Sequence, residues 1–258
     1  MPELRMYLIV CPLVFLAGFV DAMAGGGGLI SLPAYLLVGL PVHVASGTNK
    51  VANCLGTLAA TGKYIKSGQI RFRPAFCAAA GALAGSAFGT RLAMHFSPEV
   101  FRWIILCAIP IVAAVMCLKK DFGAAGRERH LSRSVEVLIC VLIGLGIGCY
   151  DGMIGPGTGT FMIMAFTAFL GMDLLCASGC AKVGNLASNA ASAVLWLLNG
   201  KVLLALAVPA AACSMLGNYL GARCAVRGGV RSVRIMLYVV LALIFGKLLF
   251  DLLSAYLA

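Results

Sequence analysis

Two stretches of this chain match each other: Gly18-Phe-Val-Asp-Ala-Met-Ala-Gly-Gly-Gly-Gly28 near its start, and Gly148-Cys-Tyr-Asp-Gly-Met-Ile-Gly-Pro-Gly-Thr-Gly159 in its second half. In each copy an aspartate, Asp21 or Asp151, precedes a glycine-rich break in an apolar segment. Glycine-broken apolar segments at corresponding positions of two halves are typical of a transporter's substrate site. The stretch therefore predicts a chain of two homologous, membrane-embedded repeats.

A second shared motif follows each break. Ala45-Ser-Gly-Thr-Asn-Lys-Val-Ala-Asn53 matches Ala177-Ser-Gly-Cys-Ala-Lys-Val-Gly-Asn185 at six of nine positions. Farther along, Gly68 falls on Gly200 at the same offset of 132 residues. The repeats therefore extend well beyond the glycine breaks.

The composition places the whole chain in a membrane. Its 258 residues are 62% hydrophobic and 11% charged, with a mean hydropathy of +1.01, whereas soluble domains carry about 25% charged residues. The net charge of +11 lies mostly between the apolar runs. That distribution follows the positive-inside bias and does not indicate nucleic-acid binding.

We predict an all-α polytopic membrane protein with two homologous, inverted repeats, each of four to five helical segments including a glycine-broken helix. The first repeat covers 1–118, a basic cytoplasmic linker 119–134, and the second repeat 135–258. The predicted helices are 6–24, 29–39, 44–65, 74–96 and 100–118, then 135–154, 160–171, 175–198, 202–225 and 233–256.

The charges between helices predict that the repeats are inverted. The loop at 63–73 is basic, while its counterpart at 199–201 holds one lysine. Conversely, 227–234 is basic and 97–99 is not. Opposite bias in equivalent loops implies opposite orientation and an odd number of crossings in each repeat.

Each repeat places one lysine inside an apolar helix, Lys50 and Lys182, with polar residues spaced by four, three and four positions. This spacing puts the set on one helical face. Because a charge at the bilayer centre costs at least about 2.5 kcal/mol, that face points inward or at water. The two sets are Ser46, Lys50, Asn53 and Thr57, and Ser178, Lys182, Asn185 and Asn189.

The alternative to a binding role is structural: Lys50 could pair with Asp21, and Lys182 with Asp151. The two aspartates could also cap backbone donors or take up a coupling proton, and the sequence leaves these roles open. Ser46 and Ser178, each four residues before a lysine, also make a Ser–Lys dyad conceivable.

The glycine breaks predict free backbone N–H groups at the start of the next helix, together with the positive end of its dipole. Such a helix start binds oxyanions, and with two lysines it would form a positive well. Thr158 and Thr160 add hydroxyl donors. On this hypothesis, valine at Gly27 or Gly157 lowers anion affinity more than stability. The alternative is a packing kink without a ligand.

These features give the predicted site. Asp21 and Asp151 are assigned to coupling or pairing, and no catalytic residue, metal ligand or cofactor is predicted. The predicted substrate-binding residues are Gly25, Gly26, Gly27, Gly28, Ser46, Thr48, Asn49, Lys50, Asn53, Gly155, Gly157, Thr158, Gly159, Thr160, Ser178, Lys182, Asn185 and Asn189.

Two features are not given a functional role. The eleven cysteines are scattered through apolar runs, and Cys176 and Cys180 form the only close pair; we interpret them as small apolar helix residues rather than disulfide or zinc partners. The first 24 residues imitate a signal peptide, but their motif recurs internally. We therefore predict a retained first helix.

The chain resembles the TauE/SafE family of membrane permeases, also called the sulfite exporter or TSUP family, over nearly its whole length. The resemblance lies in Gly18–Gly28 with Thr48-Asn49-Lys50, and in Gly148–Gly157 with Ala181-Lys-Val-Gly-Asn185. Between the repeats, Cys180-Ala181 stands where the first has Thr48-Asn49, and Pro156 replaces Gly26. The resemblance implies transport of small sulfur-containing anions such as sulfite or organosulfonates.

We therefore expect a multi-pass secondary transporter of small anions in a bacterial inner membrane, and not an enzyme. Its expected partners are a small anionic substrate and the lipid bilayer, with a possible homodimer and no nucleic acid. One alternative is an uncoupled anion channel. The other is an intramembrane Ser–Lys hydrolase, against which two symmetric copies argue because catalysis needs one.

Overall fold

The structure is a computed structural model that describes residues 3–105, 107 and 131–257. Within these residues all regular structure is helical, as predicted for the fold class. The predicted helix 100–118 is described only in its first part, within a helical segment at 98–105. Most of the linker 119–134 lies outside the described residues.

The helices follow the predicted order closely. The first half contains α1 (Leu4–Ala24), α2 (Gly28–Leu37), α3 (Val42–Lys66) and α4 (Phe72–His95). The second contains α5 (Arg133–Met153), α6 (Thr158–Leu170), α7 (Leu174–Leu198) and α8 (Leu204–Leu257). Inside α8, Gly229 has φ 60° and ψ −158°, so the two last predicted helices meet at a kink.

Local sequence explains where the helices stop. Gly25 ends α1 in the left-handed region, with φ 79°, and its N–H donates to the Asp21 carbonyl. Gly171 ends α6 in the same way, with φ 68°. Asp173 then caps α7, because its carboxylate accepts from the N–H groups of Leu175 at 2.9 Å and Cys176 at 3.0 Å.

Three of the described helices are long and apolar enough to cross a membrane: α1, α5 and the Leu204–Val233 part of α8. The helices after the glycine breaks are shorter, with 10 residues in α2 and 13 in α6. At about 1.5 Å per residue they span only part of a hydrocarbon core of about 30 Å.

Close glycine contacts give the direction of the helices around α8. A Cβ on Gly217 would lie 2.1 Å from the Phe15 carbonyl oxygen, and one on Gly221 would lie 2.2 Å from that of Phe19. Because the residue numbers increase in the same direction along both helices, α1 runs parallel to α8. The glycines let the two backbones touch, as small residues do between membrane helices.

The same reasoning applies to α3, α4 and α5. A Cβ on Gly47 of α3 would contact the Lys201 carbonyl just before α8, and one on Gly56 would contact Ser214 of α8. Helix α3 therefore also runs parallel to α8. In the other half, α4 and α5 are parallel, because Gly81 meets Val141, Gly85 meets Leu145 and Gly89 meets Cys149.

The loop 67–71 reverses the chain between α3 and α4. Helix α5 therefore runs opposite to α1, its counterpart in the first repeat. This relation is the one expected of repeats with opposite orientation; the placement of their two-fold axis in the membrane plane stays a prediction.

The two repeats exchange their first helices. The most extensive packing of α1 is against α8 of the second repeat, and that of α5 is against α4 of the first. The loop contacts are exchanged as well: Gly47 packs on the Lys201 carbonyl and Gly179 on the equivalent Gln69 carbonyl, both with a Cβ distance of 2.1 Å. Neither repeat is therefore a separate domain.

The short helices turn back into the bundle. Only residues 38–41 join α2 to α3, and α3 runs parallel to α1. The end of α2 at Tyr35 accordingly packs with Val10 of α1 and Val42 of α3, both near the starts of their helices. Helices α1 and α2 thus form a hairpin whose bend is the first glycine break.

Two apolar clusters lie on either side of the bends. One contains Met23, Tyr64 and Phe166, near the ends of α1, α3 and α6. The other contains Val10 and Trp196, near the start of α1 and the end of α7. Between them lies a polar layer built from the glycine breaks and the middle parts of α3 and α7.

Candidate functional site

Both membrane lysines form buried ion pairs, and both pairs cross between the repeats. Lys50 Nζ lies 2.8 Å from Asp151 Oδ2, and Lys182 Nζ lies 2.5 Å from Asp21 Oδ2. Pairing within each repeat, Lys50 with Asp21 and Lys182 with Asp151, is therefore wrong. The exchange of the first helices explains the crossing, because it carries each aspartate to the partner repeat's lysine helix.

Asp151 is held by donors from three helices. Besides Lys50 of α3, the hydroxyl of Thr158 in α6 lies 2.8 Å from its Oδ1, and the hydroxyl of Ser188 in α7 lies 2.6 Å from its Oδ2. The residue is 2% exposed. Its charge is thus both balanced and hydrogen-bonded, as a buried carboxylate requires.

Asp21 has less support. Among the described side chains, Lys182 is the one group that donates to its carboxylate. The Asp21 side chain is 16% exposed, while that of Lys182 is 0% exposed. Lys182 therefore lies behind Asp21, and the carboxylate is the member of this pair that faces the open space.

The two glycine breaks cross each other with backbone in direct contact. A Cβ on Gly25 would lie 2.2 Å from the Gly159 carbonyl carbon, and one on Gly28 would lie 3.0 Å from Pro156 Cα. Thr160 ties the breaks together, because its hydroxyl donates to the Ala24 carbonyl at 2.6 Å. Gly25 also has φ 79°, so both its conformation and its neighbours require glycine.

The crossing leaves backbone donors without partners. Within the described residues, the N–H groups of Gly28 and Gly159 have no hydrogen-bond acceptor. Both residues line the same cavity, one from the first turn of α2 and one from the first turn of α6. The positive ends of the two helix dipoles add to their donor character.

One cavity gathers these groups. Its volume, for the centre of a water-sized sphere, is about 20 Å³, which is room for about one or two water molecules. Its lining, as far as the structure describes it, holds only glycines and polar or charged side chains. These residues are Asp21, Gly25, Gly28, Asn49, Lys50, Asn53, Asp151, Gly155, Thr158, Gly159, Asn185 and Asn189.

Two asparagine pairs form much of the wall. Asn53 donates to Asn49 at 3.1 Å on α3, and Asn189 donates to Asn185 at 3.0 Å on α7. Each bond orders two amide groups one helical turn apart. Each amide nitrogen carries two donors, so donors remain for a ligand in the cavity.

All twelve lining residues belong to the predicted site, but several predicted residues have other contacts. Thr48 accepts from the Leu203 N–H at 3.0 Å, while Cys180 accepts equivalently from the Arg71 N–H at 3.3 Å. Ser178 donates to the Leu174 carbonyl. Thr160 binds the first break from outside the cavity lining.

The remaining predicted residues also lie outside the lining. A Cβ on Gly27 would lie 2.4 Å from the Ala17 carbonyl oxygen, and Gly157 has φ 83°. Valine at either position is thus expected to impair folding first, which revises the expected effect on affinity. Gly26 and Ser46 do not line the cavity, and the Ser46 hydroxyl has no described partner.

The charges of the site differ from the predicted positive well. The two lysine charges are balanced by two carboxylates at 2.8 Å and 2.5 Å. The positive character of the cavity therefore rests on backbone dipoles and amide donors, with the lysines available only if their partners are neutralised or displaced.

Sequence reasoning missed Ser188 and Tyr64. Ser188 donates to Asp151, as described, and Tyr64 donates to the Ala22 carbonyl at 2.9 Å, just after Asp21. Ser188 lies three residues after Asn185 and adjoins the recognised polar stripe, a spacing that could have indicated it.

Other chemistry finds little support in the described residues. They contain no cluster of three metal-binding side chains. Neither serine of the conceived dyads contacts its lysine: Ser178 donates to a backbone carbonyl, and both lysines are held by carboxylates.

Comparisons with known proteins agree with the helical, membrane-embedded architecture. The family model described as "Sulfite exporter TauE/SafE" matches residues 10–248. A "Probable membrane transporter protein" of Haemophilus influenzae is 34% identical over 92% of each chain. "Probable membrane transporter protein YfcA" of Escherichia coli K12 is 31% identical over 92% of this chain and 87% of the relative. No solved structure matches significantly.

Proposed function

Because this chain belongs to the sulfite exporter TauE/SafE family of bacterial membrane transporters, we propose that it is a secondary transporter of a small sulfur-containing oxyanion, such as sulfite or an organosulfonate. The observation that carries this proposal is the central cavity, which both repeats line with glycines and polar side chains. Many secondary transporters bind their substrates at such sites, near the bilayer midplane and between inverted repeats.

The cavity offers the contacts that an oxyanion needs. The free N–H groups of Gly28 and Gly159 lie at two helix starts, where backbone donors and the helix dipole favour negative charge. Asn49, Asn53 and Asn189 add amide donors on the walls. Glycine at the breaks leaves the backbone open to the ligand.

The size of the cavity favours small anions over larger ones as substrates. A cavity with room for about one or two water molecules has to widen for any of these anions, and it has to widen less for sulfite than for an organosulfonate with a long tail. A larger substrate requires the helices that line the cavity to move apart. The crossed ion pairs join these helices, so they must either break or move with the helices during such an opening.

A carrier is favoured over an uncoupled channel. The polar layer lies between two apolar clusters, which include Tyr35 and Trp196 on one side and Tyr64 and Phe166 on the other. An anion crossing this conformation would have to pass through packed apolar side chains. Alternating opening of the two sides avoids that barrier, whereas a channel needs a continuous path.

The proposal is tested with purified protein in proteoliposomes, by measuring uptake of sulfite, thiosulfate, isethionate and taurine. A charge-matched double variant, Lys50→Met with Asp151→Asn, removes one pair without leaving a buried net charge. We expect wild type to transport at least one of the sulfur oxyanions and the double variant to lose that transport.

Lys66→Met is the matched control, since Lys66 lies exposed at the end of the same helix, and it should transport as wild type does. The absence of uptake above empty liposomes for all four compounds would refute the proposed substrate class. Full transport by the double variant would show that the Lys50–Asp151 pair has no part in it. Flux rising linearly with gradient at channel-like rates would identify the channel alternative.

A further inference from the structure

The charge balance of the cavity creates a problem for an anion. Lys50, Lys182, Asp21 and Asp151 together carry no net charge. An anion entering this layer would add an uncompensated negative charge in a buried place, which is costly. A proton taken up by one of the two carboxylates restores neutrality for a monovalent anion, and it leaves the charge of one lysine to balance that anion.

The two carboxylates are not equivalent candidates for that proton. Asp151 has three donor groups within hydrogen-bonding distance, on Lys50, Thr158 and Ser188, and is 2% exposed. The two hydroxyls also have a backbone carbonyl within reach, that of Gly155 for Thr158 and that of Asn185 for Ser188. Protonating Asp151 would remove the negative charge that these three donor groups face. Asp21 receives one described donor, and its side chain is 16% exposed. It can therefore be protonated by cavity water with the loss of one bond.

The repeat alignment explains this difference. Thr158 lies seven residues after Asp151, and the position seven residues after Asp21 is Gly28. The counterpart of Ser188 at the offset of 132 residues is Gly56. Both hydroxyl donors of the second repeat thus have glycine counterparts in the first.

The glycine at position 56 is needed for packing. A Cβ there would lie 2.1 Å from Ser214 Oγ, so α8 occupies the space that a hydroxyl side chain would fill. The side chains of Ser214 and Asn218 on α8 thus fill the space beside Gly56 that a hydroxyl donor would need.

The ionisable groups around Asp21 are few in the described chain. Lys182 of α7 pairs with it, and Tyr64 of α3 donates to the adjacent Ala22 carbonyl. Across the cavity lie Lys50 and Asp151, which hold each other. Helices α2 and α6 add no charged residue, and α8 meets this part of α1 through glycine contacts.

Resting on the proposed function, we propose that Asp21 is the carboxylate that takes up the proton accompanying the anion, while Asp151 stays ionised as a fixed partner of Lys50. A hydronium ion in the cavity water gives its proton to the Asp21 carboxylate, which leaves a carboxylic acid and water. The Lys182 ammonium group keeps its own protons, and from behind Asp21 its charge balances that of the anion. Release of the anion reverses both changes.

The first test needs no substrate. Infrared difference spectra of the full-length protein between neutral and mildly acidic solution report the carbonyl stretch of newly protonated carboxylic acids. The charge-matched variant Asp21→Asn with Lys182→Met should lose a band that the reciprocal variant, Asp151→Asn with Lys50→Met, retains. Loss in the reciprocal variant, or retention in the first, would overturn the assignment.

A transport test separates this inference from the proposed function. In proteoliposomes, wild type should exchange labelled for unlabelled isethionate, a monovalent anion, and take it up in response to a pH gradient, and Asp21→Asn should lower the gradient-driven uptake far more than the exchange. Wild type that exchanges no anion would contradict the proposed function, while the infrared result would still decide the role of Asp21. Gradient-driven uptake that Asp21→Asn lowers no more than the exchange would overturn the inference and leave the proposed function intact.

Discussion

The crossed pair of Lys50 and Asp151 allows a quantitative prediction about stability. Lys50→Met leaves Asp151 ionised and 2% exposed, with only the neutral hydroxyls of Thr158 and Ser188 as donors. Breaking a buried pair in this way costs about 3–5 kcal/mol. Replacing both partners by neutral residues is often nearly neutral. The double variant with Asp151→Asn should therefore be more stable than Lys50→Met alone.

The measurement is a double-mutant cycle on thermal unfolding in detergent. For a chain of this size about 1 kcal/mol corresponds to roughly 2–4 °C, so Lys50→Met should lower the midpoint by roughly 6–20 °C. The double variant should recover most of that loss, a coupling that distant sites do not show. Lys66→Met, on the exposed end of the same helix, should unfold as wild type does.

An additive result would refute this reasoning. If the double variant loses as much stability as the two single variants combined, Lys50 and Asp151 act independently, and the crossed contact is not an interacting pair. Asp151→Asn alone completes the cycle and should itself be destabilised, because it leaves the ammonium group of Lys50 buried without a counter-ion.

Gly25→Ala should abolish recovery of monodisperse protein in size-exclusion chromatography, because its Cβ would lie 2.2 Å from the backbone of α6; Gly62→Ala, with nothing within 4 Å, is the control and should behave normally. Thr158→Val should lower the unfolding free energy by about 1–3 kcal/mol by removing a hydroxyl donor from Asp151, and Thr158→Ser should restore it; equal stability of the valine variant would contradict the assigned bond. A protease site inserted into the predicted cytoplasmic linker 119–134 should be cut in inside-out vesicles and protected in right-side-out ones, and the reverse pattern would show that the linker faces the other side.

The local features of this fold were predictable because they depend on short-range sequence patterns. Periodic apolar runs and the glycine breaks gave helices within a few residues of the observed ones; the predicted 44–65, for example, corresponds to α3 (Val42–Lys66). The steps of four, three and four residues also identified the faces of α3 and α7 that carry Lys50 and Lys182. Helical spacing fixes such faces without knowledge of the rest of the fold.

The pairing of charges was not predictable in the same way. Asp21 and Lys50 are near each other in sequence and occur in the same repeat, so pairing within the repeat was the simplest hypothesis. The observed partners are 161 residues apart for Lys182 and Asp21. They depend on which helices of the two repeats pack together, and that choice is made by glycine contacts such as Gly217 against Phe15.

The same distinction between local spacing and tertiary packing applies to the individual site residues. Spacing shows that a polar side chain faces inward, but not whether it reaches a cavity or a backbone group. Ser178 shares the helical face of Lys182, and Thr48 directly precedes Asn49, yet the hydroxyls of Ser178 and Thr48 bond backbone groups near the starts of helices. The depth of a residue along its helix and the nearest loop decide this, and both depend on the tertiary fold.

The exchange of first helices has a consequence for how the chain is made. Helix α1 leaves the ribosome before α8, yet the surface that covers α1 belongs to α8. Asp21 gains its partner Lys182 only when α7 has been inserted. Until α8 follows, Gly18 faces lipid instead of Ser214 and Asn218. The first repeat expressed alone should therefore remain incompletely folded, and supplying the second repeat as a separate chain should rescue it.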